Sequence, residues 1–182
     1  MPALKQIVPT KEWTTLPRLK SGPWDKEPDK AQWQYSPTIA CMVHRGGGQA
    51  WCGYVGVTEG HPLFGMEYDE VETKYNLDVH GGLTFSALCD GDEEKGICHV
   101  ATDENGKPIE AWWLGFDCAH YTDIRPNFAD KYMLQHDEEM ATKYPLAHHD
   151  EVYRDYAYVR AETERLAEQI DALDKNVTVK EK

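Results

Sequence analysis

The chain has 182 residues, 41% of them hydrophobic, with six Trp and ten Tyr. That is enough apolar material for one domain with a real core, too little for two independent domains, and too aromatic for a disordered chain. The formal net charge of −13 argues against a nucleic-acid groove as the main business, because phosphate backbones are held by clustered Lys and Arg, and does not exclude a small anion held by a few backbone N–H groups and one or two Arg in a local pocket.

Residues 1–37 hold six of the ten prolines together with Trp13, Trp24 and Trp33. Ser21–Asp29 is turn-rich and too broken by proline for a long helix or an inner strand. So many aromatic residues are foreign to a disordered tail. The expectation is an arm, 1–37, that lies across the domain and inserts its Trp side chains, with or without a loose leader at its start. No apolar leader segment and no run of roughly 18 apolar residues is present, so neither a signal segment nor a membrane span is expected.

A core domain is expected at 38–147. Thr38–His44 and Ala50–Val57 read as strands joined by Arg45-Gly46-Gly47-Gly48-Gln49, a hairpin loop by length and composition. The three glycines also suit a phosphate cradle, but no Lys-Ser/Thr follows them. Residues 58–79 read as an excursion with a short helix and an acidic stretch at 67–72. Leu83–Cys89 reads as a strand. Asp90–Gly96 reads as a solvated turn whose alternating oxygens lack the spacing of a calcium loop. Ile97–Thr102 and Ile109–Cys118 flank Asn105-Gly106, a two-residue hairpin signal that would set His99 opposite Trp112 and Cys98 opposite Trp113. Alternation then gives Trp113, Gly115 and Asp117 one face, and Trp112, Leu114, Phe116 and Cys118 the other. A strand apolar on both faces is covered on both.

Residues 128–147 read as a short helix stopped by Pro145. A long helix is expected at 148–175, where Val152, Tyr156, Val159, Thr163, Leu166, Ile170 and Leu173 form a heptad seam. The seam serves either the sheet of its own domain or a second copy of the chain, and a homo-oligomer through 152–173 is expected. Residues 176–182 read as a polar tail. The fold class is α+β, a mainly antiparallel sheet of about five strands with an ordered N-terminal arm and a long C-terminal helix. The five cysteines are odd in number and contain no C-x-x-C pair. They read as reduced, mostly buried thiols of a cytoplasmic protein, and their spacing speaks against a zinc site.

Chemistry is concentrated in two places. His80-Gly81-Gly82-Leu83-Thr84 enters a strand through two glycines, which lets backbone approach a ligand or another strand closely. Asp117-Cys118-Ala119-His120-Tyr121-Thr122-Asp123 leaves the central strand at its end, where polar side chains become available to ligands. Convergence of His80, Asp117 and His120, with Thr84 and Cys118 nearby, would make an acid/base or metal cluster. The plainer alternative has Asp117 capping the next turn and both His residues hydrogen-bonded in a packed interior. Cys118, beside Trp and Phe, reads as core more than as nucleophile. His136, His148 and His149 read as surface residues.

Several strings taken together resemble a family of uncharacterised proteins encoded by phages and prophages. They are Gly22-Pro23-Trp24-Asp25 with Glu27-Pro28-Asp29 and Gln32-Trp33, then Cys52-Gly53-Tyr54-Val55-Gly56-Val57 with Gly60-His61-Pro62. The remainder are Val79-His80-Gly81-Gly82-Leu83-Thr84-Phe85 and Trp112-Trp113-Leu114-Gly115-Phe116-Asp117-Cys118-Ala119-His120. The resemblance brings no activity or catalytic assignment. It implies a small accessory protein of the host bacterial cytoplasm, of a kind that counters host defences, one route being capture or destruction of cyclic nucleotide signals.

In that light the first expectation is a binder that sequesters a small nucleotide-like ligand without turning it over, using neither cofactor nor metal. Its ligand would meet Tyr54, His61, His80, Gly81, Gly82, Thr84, Trp112, Trp113, Asp117 and His120, with Arg45, Arg125 or Arg154 supplying positive charge. The first alternative is a hydrolase using His80, Asp117 and His120, with or without a metal. The second is an acidic inhibitor that binds a host protein through 67–72 or 90–94. No DNA, RNA or membrane partner is expected.

Overall fold

A computed structural model describes residues 1–17, 21–128 and 152–180. Among them the chain forms β1 (Lys11–Trp13), β2 (Lys30–Ser36), β3 (Ile39–Arg45), β4 (Trp51–Val57), helix α1 (Tyr68–Tyr75), β5 (Phe85–Ala87), β6 (Trp112–Asp117) and helix α2 (Tyr156–Lys180). The strands make one antiparallel sheet in the order β1-β2-β3-β4-β6-β5. The fold is the expected α+β arrangement, with one strand more than the sequence suggests. β3 and β4 pair from Ile39↔Val57 to Arg45↔Trp51, so the glycine run closes a hairpin. No helix of the described residues is long and apolar enough to cross a membrane. The helix expected at 128–147 falls, beyond its first residue, outside the described residues, as do His136, His148 and His149.

Two strands, β1 and β2, come out of the arm, while Ile97–Thr102, expected as a strand, forms only isolated bridges. Pro28 and Pro37 bracket Lys30–Ser36, but the seven residues of that strand contain no proline, so every amide needed for a ladder is present. β2 therefore sits inside the sheet between β1 and β3, and Pro37-Thr38 is the turn that follows it. Trp24 and Trp33 are buried.

Strand alternation divides the core in two. Ala31, Trp33, Ile39, Cys41, Val43, Val55, Leu114 and Phe116 face α2, which presents Val159, Leu166, Ala167 and Ile170 to them. Ala40, Met42, Tyr54 and Trp113 face the other way, under Val8, Ala101 and Ala111. The seam Val159, Thr163, Leu166 and Ile170 is thus buried on the sheet of its own domain. Close approach of the helix depends on Gly53: a Cβ there would lie 2.3 Å from Thr163 Oγ1 and 2.4 Å from the Phe116 ring.

Three local expectations need correction. The two-residue Asn105-Gly106 turn does not form, because the Asp103 carboxylate takes the amides of Asn105 and Lys107 and opens a five-residue loop with Thr102 opposite Pro108. His99 and Cys98 consequently do not pair with Trp112 and Trp113. Both edges of β6 belong to β4 and β5, and His99 instead packs edge-on to the Trp113 ring at 4.9 Å. The long helix starts at Tyr156, not near 149: Asp155 caps it by accepting the Tyr158 amide at 2.8 Å. Val152 before it is bridged to Asp123. Finally, the cysteines are not all reduced thiols, for Cys89 and Cys98 form a disulfide. The loop so closed wraps the ammonium of Lys30, which donates to the carbonyls of Glu93, Gly96 and Cys98. Burial pulls the Lys30 pKa down to about 8 despite the nearby Asp92 and Glu93.

The disulfide links residues nine apart in sequence, and a crosslink of that span is worth about 2–3 kcal/mol by chain-entropy arithmetic. Urea unfolding in dithiothreitol should show a correspondingly lower midpoint, while Cys89→Ser should unfold at that lower midpoint with or without reductant. Equal midpoints for the wild type in both buffers would deny the bridge any part in stability.

Candidate functional site

Four separate segments deliver the polar groups to one place. Val79, buried in the core, anchors the segment entering β5, and the His80 amide donates to Glu162 Oε1 of α2 at 2.7 Å. At the exit of β6, Asp117 Oδ1 accepts the Ala119 amide at 3.0 Å, which turns the chain and delivers His120. Asp123 follows three residues later, with its amide on the His120 carbonyl. The bridge between 122–124 and Val152 then brings in Arg154, and the first turn of α2 brings in Tyr158.

Asp123 is the hub. Its Oδ2 faces His80 Nε2 at 2.9 Å, the His120 amide at 3.0 Å and His120 Nδ1 at 3.1 Å, while Oδ1 accepts Arg154 Nε at 3.1 Å. His80 Nδ1 is 2.8 Å from the Tyr158 hydroxyl, and the two imidazoles meet edge to face at 5.2 Å. Asp117 Oδ2 accepts the Thr84 hydroxyl at 3.0 Å, and Asp117 Oδ1 lies 4.0 Å from His120 Nε2. Exposure grades across the cluster: the side chains of Asp123 and His80 are 0% and 13% exposed, those of Asp117 and His120 31% and 38%. The cluster therefore has a sealed back and an open front.

Gly81 makes that geometry possible. Its φ of +68° is costly for any residue with a Cβ, and a Cβ there would lie 2.1 Å from His120 Cε1. The glycine pair read from the sequence is thus required by close approach, Gly81 to the His120 imidazole and Gly82, at φ +83°, to the Glu72 carboxylate.

Electrostatics follow the same plan. Burial alone would raise the pKa of Asp123, but the hydrogen bonds from His80, the His120 amide and Arg154 outweigh it and hold the carboxyl below its ordinary value. Glu162 is likewise held down, burial being overcome by Arg165 and the His80 amide. Burial, then the Glu162 carboxylate, pushes the Tyr158 phenol up. Cys118 is buried behind the cluster, and burial raises its thiol well above the usual range. It is no thiolate nucleophile.

Of the residues expected at a site, His80, Gly81, Thr84, Asp117 and His120 come together, with Gly82 in the same turn. The others do not. Trp113 and Tyr54 are buried on the opposite face of the sheet. His61 is buried under α2 with Nε2 toward the Ile170 carbonyl, and Trp112 donates to the Met66 carbonyl beside Phe64. Arg45 is fully buried between Glu27 and Asp29. Arg125 is exposed, and of the three arginines Arg154 holds Asp123. Asp123 lies in the strand-exit segment but carries no site role in the sequence reading, and Tyr158 carries none, although His120-x-x-Asp123 is a readable spacing and Tyr158, Glu162 and Arg165 form a polar stripe at helical period. No protein-family model, no curated protein and no solved structure matches this chain.

Because the folded-state pKa of Asp123 is depressed, its contribution to stability is complete above the unfolded carboxylate value of about 3.9 and is lost as pH falls through the lower folded value. Asp123→Asn should be less stable by roughly 3 kcal/mol at neutral pH, since it leaves paired donors without a charge in a sealed site. It should also lose stability less steeply than wild type between pH 5 and pH 2. Urea midpoints measured at stepped pH test both statements, and parallel curves for the two proteins would remove Asp123 from the acid response.

Proposed function

We propose that this protein is a hydrolase of small substrates and that the His80–Asp123–His120 cluster is its reactive centre. The observation carrying this reading is the graded exposure of the cluster: a buried carboxylate orients two imidazoles from behind, and one imidazole with a neighbouring carboxylate faces outward. A carboxylate that fixes the tautomer and direction of a partly exposed His is the arrangement that general acid–base chemistry needs. Water at the open front meets His120 and Asp117; this pair takes its proton as the oxygen attacks the acyl carbon and returns a proton to the leaving alcohol or amine as the ester or amide bond breaks. The carboxylates of Asp117, Asp123 and Glu162 disfavour a polyanionic substrate and favour a neutral or cationic ester or amide.

A second reading, capture of a nucleotide-like ligand without turnover, is supported by Tyr121, which is 84% exposed next to His120 and offers a ring face for stacking. Trp112 and Trp113, expected to stack such a ligand, are occupied in packing, which is why the hydrolase reading ranks first.

A panel of chromogenic esters and amides decides between the two. His120→Ala should lower kcat on the preferred substrate by about 10²-fold or more, the usual share of a positioned acid–base group, with an unchanged melting temperature because the side chain is partly exposed. A panel with no turnover, or a His120→Ala protein as active as wild type, overturns the hydrolase.

A further inference from the structure

We propose that His80 Nε2, His120 Nδ1 and Asp123 Oδ2 together bind one divalent transition-metal ion of the zinc class. The inference rests on reading the cluster as the reactive centre and adds the ion to it. Three observations carry it.

The first is the crowding of one oxygen. Asp123 Oδ2 has three nitrogens within 2.9–3.1 Å of it, the His120 amide and both imidazoles. A carboxylate oxygen offers about two lone-pair directions. The amide is fixed by the backbone, so both imidazoles compete for what remains. An ion seated among Oδ2 and the two ring nitrogens resolves the conflict, because it takes a lone pair from each instead of asking each ring for a proton.

Spacing is the second. The three donor atoms lie within 4.8 Å of one another. Ligands held about 2.0–2.1 Å from zinc sit roughly 2.8–3.0 Å apart at octahedral angles and roughly 3.3–3.4 Å at tetrahedral ones, and the two His–Asp separations are 2.9 and 3.1 Å. Two imidazoles and a carboxylate suit zinc, cobalt, manganese or ferrous iron far better than calcium, which takes oxygen.

The third is the surroundings of each ligand. A metal-bound imidazole normally donates its other nitrogen to an oxygen that fixes its tautomer. His80 Nδ1 has the Tyr158 hydroxyl at 2.8 Å, and the carboxylate facing His120 Nε2 is Asp117, with Oδ1 at 4.0 Å. Asp123 Oδ1 is held by Arg154. Two of the three ligands are thus oriented from outside by hydrogen bonds, and the exposed front beside His120 and Asp117 leaves a coordination position for water or substrate. The cysteines contribute nothing to this site, which explains why cysteine spacing gave no sign of it.

The experiment is a cobalt(II) titration of the full chain after chelator treatment and dialysis, read by visible ligand-field absorption and by metal content per chain. The expected result is one cobalt per chain. His120→Ala and Asp123→Asn should abolish the absorption, each with its melting curve recorded. Tyr158→Phe, which keeps the ring and removes only the hydroxyl, should weaken binding by about 10–100-fold, the usual effect of losing such a partner. Asp92→Asn in the acidic 90–96 loop should bind as wild type. Binding that survives His120→Ala, or that disappears with Asp92→Asn, overturns the proposal, as does a wild type that takes up no cobalt. Its fate is separable from that of the hydrolase: ester or amide turnover that persists in chelator without bound metal would sink the ion alone, whereas stoichiometric cobalt with no turnover on any substrate would sustain the ion and sink the hydrolase.

Discussion

The docking of α2 on the sheet is the contact from which the rest of the molecule follows. Val159, Leu166 and Ile170 are fully buried against β3 and β4, each contributing on the order of 1.5–3 kcal/mol by leaving water. The ion pair Arg160–Glu164 on the outer face of the same helix is partly exposed and belongs to a class worth only a few tenths of that scale. Hydrophobic burial therefore sets where the helix lies, and the surface charges follow. Thr163, in the middle of the seam, can be buried because its hydroxyl donates to the Val159 carbonyl at 2.7 Å, leaving no orphaned polar group. Once the seam is seated, Tyr158 and Glu162 have no freedom to be anywhere but over His80.

Two buried charge networks flank that helix, and comparing them shows what makes one of them a site. Glu27 accepts from Arg45 Nη2 at 2.7 Å, the Trp51 indole at 3.2 Å, the Tyr153 hydroxyl at 2.5 Å and the Tyr156 amide at 2.9 Å. Arg45 is also close to Asp29 and stacks on Trp51. Its Arg45 and Asp29 side chains are buried and Glu27 is only slightly exposed, and its effect is orientation: it ties the arm, the β3–β4 loop and the start of α2 to one point. A buried pair of this kind adds little net stability, yet losing one member is expensive. The Asp123 network uses the same chemistry with one side left open. Arginine dominates the closed one. Histidines dominate the open one.

The sequence made the sheet legible wherever the local signal and the global packing agree. The β3–β4 loop and the two-faced strand β6 belong in this class. The signal failed where a neighbour the sequence does not advertise intervened. Asp103 captured two amides and displaced the Asn105-Gly106 turn; Val152 paired with Asp123 and delayed the helix; prolines outside Lys30–Ser36 disguised an inner strand as an irregular arm. The Cys89–Cys98 bridge was hidden by parity, since an odd cysteine count says nothing about which two residues face each other. At the site, the glycine pair and the strand exit were readable because each has a backbone reason to exist. The hub was not: Asp117 and Asp123 are equally acidic in the sequence, and only the fold shows that the first caps a turn at the rim while the second is sealed behind both imidazoles. The tryptophans misled for a related reason. An aromatic stripe on a central strand serves packing first, and Trp113 is fully buried.

The placement of the cluster couples its chemistry to the stability of the whole. His80 lies 43 residues from Asp123 and 78 from Tyr158, and Arg154 lies 31 beyond Asp123. No local segment can assemble the group; it exists only when β6, the segment entering β5 and the start of α2 are all in place. The glycine contact adds a tight tolerance, since the His120 ring occupies the space a Cβ on Gly81 would need. Slippage of α2 by one turn would move Tyr158 by about 5.4 Å, far beyond hydrogen-bond reach of His80. The apolar seam that stabilises the domain is therefore also what positions the reactive groups, so damage to the seam reaches the site without any change to a site residue.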